Sequence, residues 1–583
     1  MIIVGVGGTL GHDANAAVLV DGRLLAAGQQ ERYSRQKYDS AFPAEAIRDC
    51  LELAGAVPSD VAACIFADKP LQHAIAYRLE CPSNWLTWQL GKLAASASFG
   101  HASAARSLMP RAKVGYAWHH LAHAALAFAT SPYPRAAFLC VDGMGDDVNA
   151  TIGIADSRRT EIRFELPYEN GLGFLFVLVT EFLGFGTGAE YKVMGLAPYG
   201  DPVHLERLRS FADCAPHGAV RFNWNRQSWP AVLESLSRHL GLPARRSGDA
   251  ITDDHANLAA SIQSLFEEQI FAMAAYARQM TGERFLVFCG GCAQNCVVAG
   301  KLRGLGLFED VFTSPAAGDM GTGLGAALLL RQQVTPSGDG KIDVAGLYLG
   351  SPPGIPPPEA LVYQVPYDGD IFTEVALLLA AGNVIGWVRG RMELGARALG
   401  ARSILADPRA ADMQSLLNLK VKGRESFRPF APAILAEDCS DWFKISQPSD
   451  YMQLTAYLKP EHRRASPRHL RGWRERLDFR RCDFPAVVHV DYSARLQTVR
   501  RDCHPDFHTL LTAFKKLTGL PFLVNTSFNL SGEPIVRTAT DAWQCFRHTQ
   551  MDYLVVEDLL LRHPNDTTIE EKRAWRKQFA ESS

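Results

Sequence analysis

One short unit occurs twice along the chain, and it restricts the fold more than any other feature of the sequence. The segments NAAVLVD, from Asn15, and NATIGIAD, from Asn149, each follow an apolar strand that ends in a glycine-rich turn. The Asp-Gly pair in NAAVLVDGRLLAAG predicts a tight hairpin between two strands. A hairpin unit that recurs in this way indicates an internal duplication with a β-sheet in each copy.

Strands alternate with helices further along the first half of the chain. RFLVFCGGCAQNC, from Arg284, predicts a strand, a Gly-Gly turn and the start of a helix. VFTSPAAGDMGTGLGAALLLRQQ, from Val311, predicts a strand, a glycine-rich loop and an apolar helix. This alternation is typical of an α/β domain with a mixed or parallel sheet, whose ligands bind where loops leave the strand ends.

The length of 583 residues predicts more than one domain, because a single hydrophobic core stops growing well before that size. The stiff, proline-rich stretch SPPGIPPPEA, residues 351–360, is the predicted boundary. We therefore expect one domain at residues 1–350 and another at 351–583. The second has a different character, because its arginines concentrate around glycine turns, as in GNVIGWVRGRMELGARALGARS.

Charge and composition argue against several classes of function. A net charge of -2 argues against a general affinity for nucleic acid or anionic membranes, and no apolar run is long enough to span a bilayer. The start, MIIVGVGG, lacks the basic region of a signal peptide, so we expect a cytoplasmic location. The twelve cysteines follow no framework pattern and are interpreted as reduced thiols. The basic run at residues 461–482 is interpreted as a solvated insertion rather than an RNA contact.

The stretch YAWHHLAHAALAF, residues 116–128, combines the apolar spacing of a core helix with three histidines. His119 and His123 are four residues apart and share one helix face, so both imidazoles can reach one metal ion. Two hydrogen-bonded, half-buried histidines would give the same pattern. His120 points about 100° away and is predicted to be solvated or to support the pair. The sequence HHLAH lacks the glutamate of the HExxH motif of zinc proteases, which disfavours a peptidase.

Two aspartates add to this pair. Asp142 ends the apolar strand LCVDGMG, and Asp319 precedes a helix in AAGDMGTG. A buried carboxylate needs a cation or several backbone donors, although each of these could also be a turn or N-cap residue. His119, His123, Asp142 and Asp319 together make a suitable ligand set for iron, manganese or zinc.

Four glycine-rich loops predict phosphate binding. The backbone N–H groups of GVGGTLG, VDGMGDD, CGGCAQN and GDMGTGLG can surround phosphates at strand ends and helix N-termini. None of them is a Walker A motif or a Rossmann fingerprint, and each alone is more often a simple turn. Four loops at corresponding places in a duplicated α/β domain favour an ATPase of the actin and sugar-kinase type.

Longer motifs carry a resemblance to one family. HHLAHAALAF, LCVDGMGD, GAEYKVMGLAPYG, GGCAQNCVVAGKL and AAGDMGTGLGAAL in the first half resemble the nodulation protein U and cephalosporin O-carbamoyltransferase family. GRMELGARALGARSILADPR, VKGRESFRPFAPAIL, VDYSARLQTV and LVNTSFNLSGEPIV resemble its second half. The chain departs from the family in GGCAQNC, where GGVALNC is common.

The resemblance implies a two-domain fold. The N-terminal domain would be a duplicated ribonuclease H/actin-like ATPase fold, similar to the subunit that makes threonylcarbamoyladenosine on tRNA. The C-terminal domain would be a YrdC-like α/β fold, similar to threonylcarbamoyl-adenylate synthase.

The implied activity is an ATP-dependent O-carbamoyltransferase. Carbamoyl phosphate and ATP, with Mg²⁺, would give carbamoyl-adenylate in the C-terminal domain. The carbamoyl group would then pass to a hydroxyl of a natural product, such as an antibiotic, at the His/Asp metal site, which would hold Fe²⁺ or else Mn²⁺ or Zn²⁺. A tRNA threonylcarbamoyladenosine-type enzyme and a non-catalytic ATP-binding regulator are the alternatives. The acceptor and the choice between monomer and homodimer stay open.

The resemblance also implies roles for individual residues. Lys422 and Arg428 would neutralise the charge that develops on the transferring phosphorus. His12, in GHDANAA, is the candidate general base, or else a turn histidine. The residues expected to bind the nucleotide or carbamoyl phosphate are Asn257, Arg397, Arg428, Arg495, Asn525 and Ser527.

Overall fold

The computed structural model describes residues 1–9, 11–69, 100–167, 171–221, 228–335, 339–342, 347–464, 470 and 472–580. The chain divides into two compact units. Unit 1 comprises Met1–Gln30 and Asp39–Asp343, and unit 2 comprises Glu31–Tyr38 and Val344–Ser583. In the ranges described, no helix is both long and apolar enough to cross a membrane.

The described residues of unit 1 form two five-stranded sheets and one short hairpin. Its strands are β1 Ile2–Gly7, β2 Asn15–Val20, β3 Arg23–Gln29, β4 Val61–Phe66, β5 Lys113–Tyr116, β6 Arg135–Gly145, β7 Val148–Asp156, β8 Thr160–Pro167, β9 Asp213–Cys214, β10 Val220–Arg221, β11 Phe285–Cys289 and β12 Asp310–Thr313. Strands β9 and β10 form the short hairpin.

The two sheets share one strand order and one set of strand directions. The orders are β3-β2-β1-β4-β5 and β8-β7-β6-β11-β12. In each sheet three antiparallel strands are followed by two strands parallel to the central one. Asn15 begins β2 and Asn149 is the second residue of β7, so the repeated segments occupy corresponding strands. The predicted hairpin at Asp21-Gly22 is confirmed, and both residues have the positive φ of a tight hairpin turn.

In the part of unit 2 that the structure describes, the strands form one mixed sheet of nine, in the order β16-β17-β18-β15-β19-β14-β13-β20-β21. These strands are β13 Ile385–Val388, β14 Arg402–Ala406, β15 Ala431–Leu435, β16 Phe443–Lys444, β17 Leu454–Leu458, β18 Ser493–Val499, β19 Phe522–Ser527, β20 Tyr553–Val556 and β21 Leu559–Arg562. Both units are therefore α/β, as the alternating pattern predicts.

The helices are numbered in chain order through both units. They are α1 Glu31–Ser34, α2 Ala44–Leu53, α3 His119–Thr130, α4 Leu172–Phe182, α5 Glu190–Leu196, α6 Leu205–Phe211, α7 Trp229–Leu240, α8 Asp253–Thr281, α9 Cys296–Gly304, α10 Thr322–Val334, α11 Pro358–Leu361, α12 Ile371–Ala380, α13 Met413–Ser415, α14 Cys439–Trp442, α15 Trp473–Asp478, α16 Pro505–Thr518, α17 Ala539–Arg547 and α18 Ile569–Ala580. A π-helix, Leu416–Lys422, follows α13.

Helix α3 is buried along almost its whole length, because it packs between β6 and α10. Helix α10 in turn packs against β1. Two glycines permit these close approaches. A Cβ atom on Gly325 would lie 1.9 Å from the carbonyl oxygen of Ala122, and one on Gly5 would lie 1.9 Å from that of Gly323. The contacts bring the first turn of α3 close to the loop that precedes α10.

The compact units differ from the predicted ranges, 1–350 and 351–583, in two places. Residues just before 351 belong to unit 2 because they pair with the loop after β13. Leu394 N donates to Leu347 O at 3.0 Å, and Gly350 N donates to Met392 O at 2.9 Å. Residues 31–38 belong to unit 2 as well, and the side chain of Arg32 donates to Gly395 O at 2.8 Å.

Candidate functional site

The two histidines predicted to share one helix face do so at the first turn of α3. Both side chains are buried, and the Nε2 atoms of His119 and His123 lie 3.0 Å apart. Trp118 provides no side-chain cap for this helix. The carboxylate of Asp146 takes that role, because it accepts from His119 N at 2.9 Å and from Lys69 N at 2.8 Å.

Two carboxylates meet these imidazoles from other elements. Asp142 lies in β6 where the pairing with β7 becomes irregular, and Asp319 opens a single 3₁₀ turn before α10. His123 Nε2 is 3.1 Å from Asp142 Oδ2 and 3.6 Å from Asp319 Oδ1. His119 Nε2 is 3.7 Å and 3.5 Å from the same two oxygens. The four predicted metal ligands therefore lie together, with one ligand atom from each within 4.8 Å of all the others.

The donor set and its spacing fit a divalent transition metal. Zinc–histidine and zinc–carboxylate bonds are about 2.1 Å long, so the ligands of a tetrahedral ion lie roughly 3.4 Å apart. The five distances between these imidazole nitrogens and their neighbours, from 3.0 to 3.7 Å, lie on both sides of this value. Two imidazoles and two carboxylates suit iron, manganese and zinc alike.

Charges in this cluster stabilise one another. Burial lowers the pKa of His123, but its hydrogen bonds to Asp142 and Asp319 raise the pKa more strongly, to about 9. The pKa of His119 is likewise raised, chiefly by Asp319, against the effect of burial. Burial raises the pKa values of Asp142 and Asp319, yet the two histidines lower them below their ordinary values. The Nε2 atoms of the two histidines lie at hydrogen-bond distance, so one of them must accept, and a metal ion would displace the proton that they share.

Asp68 supports the cluster and was not found by sequence reasoning. It follows β4, and its Oδ1 accepts from His119 Nδ1 at 2.9 Å. This hydrogen bond leaves Nε2 of His119 directed at His123, Asp142 and Asp319. A carboxylate on the far nitrogen of a ligand histidine orients the ring and raises its basicity.

His12 lies at the edge of the same cluster. Its Nδ1 is 2.8 Å from Asp13 Oδ2, and its side chain is 58% exposed. Burial lowers the pKa of His12. Asp13, Asp319 and Asp142 together raise this pKa by more than burial lowers it, so the net shift is upward. Solvent screening reduces these effects at such an exposed side chain. Because Asp13 engages Nδ1, proton transfer by His12 would use Nε2.

The remaining histidine of the motif is not solvated. His120 is buried, and its Nδ1 lies 3.1 Å from Thr151 Oγ1. Burial lowers the pKa of His120 to about 3, so the ring is neutral at physiological pH. It packs against Gly145, where a Cβ atom would lie 2.3 Å from His120 Cδ2.

The cysteines of the described residues are free thiols, in agreement with the sequence. Cys289 faces Cys140 across paired strands, and its thiol contacts Leu139 O at 3.8 Å. Cys296 contacts Met194 Sδ at 4.0 Å instead. Packing contacts of this kind are the ordinary explanation of buried thiols.

A second polar site surrounds Lys422 in unit 2. Lys422 ends the π-helix, a rare conformation that is frequent at functional sites. Its buried ammonium donates to the main-chain oxygen of Ser527, to Ser527 Oγ at 3.3 Å, and to Asn529 O and Oδ1, both at 2.9 Å. These oxygens carry no formal charge. Burial lowers the pKa of Lys422 well below its ordinary value, and the nearby Arg424 and Arg428 lower it further.

Hydrogen bonds connect the other predicted residues of unit 2 to this sheet. Asn525, which shares a face of β19 with Ser527, donates to Ala398 O at 3.2 Å and to Gln497 Oε1 at 2.7 Å. Gln497, which sequence reasoning missed, also donates to Leu399 O at 2.7 Å. These bonds tie β18 and β19 to the loop at residues 397–399. The three arginines predicted from the resemblance are half-buried. Arg397 lies in that loop, Arg495 lies on β18, and Arg428 lies close to Lys422.

Two sequence interpretations concern other parts of the chain. Asn257 lies on α8, where its Oδ1 accepts from Asp201 N at 2.8 Å. The basic run 461–482 includes residues 465–469 and 471, which lie outside the described residues. Its described arginines contact unit 2 itself: Arg481 donates to Val488 O at 2.6 Å, and Arg464 pairs with Asp483.

Known proteins match the chain along most of its length. Two family models, described as carbamoyltransferase N-terminus and carbamoyltransferase C-terminus, match residues 2–328 and 376–563. Nodulation protein NolNO of Sinorhizobium fredii is 35% identical over 95% of this chain and 79% of its own length. The 3'-hydroxymethylcephem-O-carbamoyltransferase of Streptomyces clavuligerus is 30% identical over 95% of this chain and 98% of its own.

A solved structure of full-length HypF in the phosphate- and nucleotide-bound form is also similar, at 14% identity. It covers 58% of this chain and 47% of its own, with a TM-score of 0.32, which is too low to assign a fold. The family models and the relatives confirm the resemblance carried by the motifs. The chain belongs to the carbamoyltransferase family and is a transferase enzyme.

Proposed function

We propose that the protein is an ATP-dependent O-carbamoyltransferase that works in two stages. Water hydrolyses carbamoyl phosphate to carbamate and phosphate in unit 2, and the carbamate oxygen attacks the α-phosphorus of ATP. Carbamoyl-adenylate forms and pyrophosphate leaves. In unit 1 the hydroxyl of a small natural product attacks the carbonyl carbon, and AMP leaves. The observation that carries this proposal is the buried His119, His123, Asp142 and Asp319 cluster in a chain that belongs to the carbamoyltransferase family.

The second site is suited to the first stage. Lys422 is a buried ammonium surrounded by uncharged oxygens, and a bound phosphate group would supply the anion that stabilises its charge. Arg428, Arg397 and Arg495 would add bidentate donors for the phosphates of ATP and carbamoyl phosphate. Asn525 and Ser527 would hold polar atoms of the same ligands. Mg²⁺ would enter with the nucleotide.

The His/Asp cluster is suited to the second stage. A divalent cation held there by the four side chains would polarise the carbonyl or neutralise the phosphate of the adenylate. We favour Fe²⁺, with Mn²⁺ and Zn²⁺ as the other candidates. A cation at the cluster would offset the charges of Asp319 and Asp142, which raise the pKa of His12, and the neutral ring, paired with Asp13, would then accept the proton of the acceptor hydroxyl at Nε2. Asn257 would contact the nucleotide.

The shared strand order of the two sheets in unit 1 supports the duplicated ribonuclease H/actin-like ATPase fold for this unit. We propose a YrdC-like fold for unit 2 and a cytoplasmic location, where ATP is abundant and thiols stay reduced. The acceptor named for one relative is a hydroxymethylcephem, which favours an antibiotic or another secondary metabolite as the acceptor here.

Two measurements test the proposal. Pyrophosphate release from ATP should depend on added carbamoyl phosphate, and release without that dependence would contradict the first stage. Mass spectrometry of candidate natural-product alcohols incubated with enzyme, ATP, Mg²⁺, Fe²⁺ and carbamoyl phosphate should detect a gain of one carbamoyl group. A salt-sensitive gel shift with tRNA instead would favour the threonylcarbamoyladenosine-type alternative.

A further inference from the structure

A short segment near the start of the chain is built into unit 2. This inserted segment, Glu31–Tyr38, contains α1 and leaves unit 1 for eight residues. The first residue of the segment is hydrogen-bonded to the last two: the Glu31 carboxylate accepts from Lys37 Nζ at 3.2 Å and from Tyr38 N at 3.1 Å. Arg35 lies within this segment and has a φ of 58°. This left-handed backbone conformation is uncommon for residues other than glycine and persists where surrounding contacts hold it.

The side chain of Arg35 contacts one loop of unit 2. Its NH2 group donates to Glu533 Oε1 at 2.8 Å and to Pro534 O at 2.9 Å, and its NH1 group donates to Ile535 O at 2.7 Å. Three acceptors on consecutive residues match the fixed fork of a guanidinium, which a lysine cannot reproduce. Arg35 therefore holds both the carboxylate of Glu533 and the main chain at residues 533–535 in place.

Hydrogen bonds connect the loop at residues 533–535 to Lys422, the lysine of the proposed adenylate site. Glu533 Oε2 accepts from Leu530 N at 2.9 Å, and Glu533 O accepts from the side-chain amide of Asn529 at 2.6 Å. The amide oxygen of Asn529 then accepts from Lys422 Nζ at 2.9 Å and from Ser527 Oγ at 2.6 Å. A further link is Ser531 N, which donates to Lys422 O at 3.1 Å.

We propose that Arg35 is a positioning residue for carbamoyl-adenylate formation, which it supports by holding the loop Asn529–Ile535 in the form that orients Lys422 and Ser527. The proposal rests on the role of Lys422 in the proposed function. Arg35 itself touches no substrate in this scheme. It acts through Glu533 and Asn529, which connect its guanidinium to the ammonium of Lys422.

Single-turnover pyrophosphate release with ATP and carbamoyl phosphate tests this relay. Arg35→Met removes the fork, and we expect the maximal rate to fall about 10- to 100-fold, since a displacement of roughly 1 Å can have that effect. The half-saturating concentrations of ATP and carbamoyl phosphate should change less than about threefold, because the binding groups remain. Arg35→Lys keeps the charge without the fork and should give an intermediate rate.

A matched control lies next to Arg35 in the inserted segment. Gln36 is exposed, and Gln36→Ala should leave the rate unchanged. The affinity of the His/Asp cluster for Mn²⁺ should stay unchanged in Arg35→Met as well, because that cluster lies in unit 1. A rate for Arg35→Met equal to that of Gln36→Ala would overturn the proposal. Loss of the pyrophosphate rate together with loss of Mn²⁺ binding would also overturn it, because it would show a general folding defect.

Glu533→Gln provides a second test of whether Arg35 acts through Glu533. If Arg35 acts through Glu533, the effects of Arg35→Lys and Glu533→Gln on the rate should be less than additive in a double-mutant cycle. Additive effects would overturn the relay, and this pair does not require Arg35→Met to fold. Lys422→Ala, measured in parallel, separates the two proposals. Wild-type release by Lys422→Ala would contradict the proposed function, whereas an inactive Lys422→Ala beside an active Arg35→Met would contradict the relay alone.

Discussion

His119 Nδ1 donates a hydrogen bond of 2.9 Å to Asp68 Oδ1, and this bond sets which nitrogen of His119 faces the candidate metal centre. Asp68 follows β4, whereas His119 begins α3, so the bond joins two elements of unit 1 across 51 residues of chain. The outer carboxylate fixes the tautomer and the ring orientation of the inner histidine. The site therefore depends on one more carboxylate than its four ligands.

Asp68→Asn should weaken metal binding without removing it. The amide keeps the shape of the side chain but neutralises the acceptor of His119 Nδ1–H, and loss of such an outer partner typically lowers metal affinity roughly 10- to 100-fold. Equilibrium dialysis with Mn²⁺ or Zn²⁺ measures the change. Asp147, which is exposed two positions after Gly145, provides the control, and Asp147→Asn should bind as the wild type does. Equal metal affinities of Asp68→Asn and Asp147→Asn would show that Asp68 does not contribute to metal binding.

Metal binding should release protons at neutral pH. Hydrogen bonds to Asp142 and Asp319 raise the pKa of His123 to about 9 in the metal-free protein, and Asp319 raises that of His119. An ion that takes the Nε2 lone pairs displaces the proton held between the two rings, so its affinity should rise with pH up to about 9. Calorimetry in two buffers of different ionisation enthalpy measures the number released. Heats that do not depend on the buffer at pH 7 would show that the histidines are already neutral.

The four candidate metal ligands could be selected from the sequence because each carries a local signal. The i, i+4 spacing places His119 and His123 on one helix face, and Asp142 and Asp319 stand at glycine-rich strand and helix ends. Asp68 and Asp146 carry no such signal, because their partner His119 is 51 and 27 residues away. Such contacts follow from the packing of β4, β6 and α3.

The same limit applies to unit 2. The resemblance singled out Lys422, Asn525 and Ser527, but it did not reveal Gln497, whose contacts with Asn525 and Leu399 depend on the strand order of the nine-stranded sheet. Nor did any pattern show that residues 31–38 leave unit 1, because Arg35 reaches a carboxylate 498 positions away. The hairpin repeat of unit 1, in contrast, is visible in the sequence, and its two copies occupy corresponding strands of the two sheets.

His123→Ala should separate the two proposed stages. The change removes one of the four ligands from the cluster in unit 1, so transfer of the carbamoyl group to an acceptor should fall below detection. Pyrophosphate release in single turnover should stay within about twofold of wild type, because Lys422 and its partners in unit 2 are untouched. Both quantities can be followed in one incubation with the acceptor found by mass spectrometry. Equal loss of both activities would contradict a two-site enzyme.

Lys422→Ala should have the opposite effect. Removal of the ammonium leaves Ser527 and Asn529 without their shared donor and removes positive charge from the proposed phosphate site. We expect pyrophosphate release to fall at least about 100-fold, a typical loss for one group that stabilises transition-state charge. Transfer from chemically supplied carbamoyl-adenylate should persist. If supplied adenylate fails to restore transfer, the assignment of the two stages to two units is wrong.

Gly145→Ala should disturb the metal centre by steric pressure alone. A Cβ atom on Gly145 would lie 2.3 Å from His120 Cδ2 and 2.8 Å from His119 Cδ2, so the first turn of α3 would have to move. Overpacking of this kind costs about 1–3 kcal/mol of folding free energy, and the displaced His119 ring should also bind Mn²⁺ more weakly. Gly143 lies two residues earlier on the same strand, and a Cβ atom there would meet nothing within 4 Å. Gly143→Ala should therefore keep both the melting temperature and the Mn²⁺ affinity of the wild type. If both variants lose Mn²⁺ affinity and melting temperature to a similar extent, the substitution disturbs the strand and not the contact with the histidines.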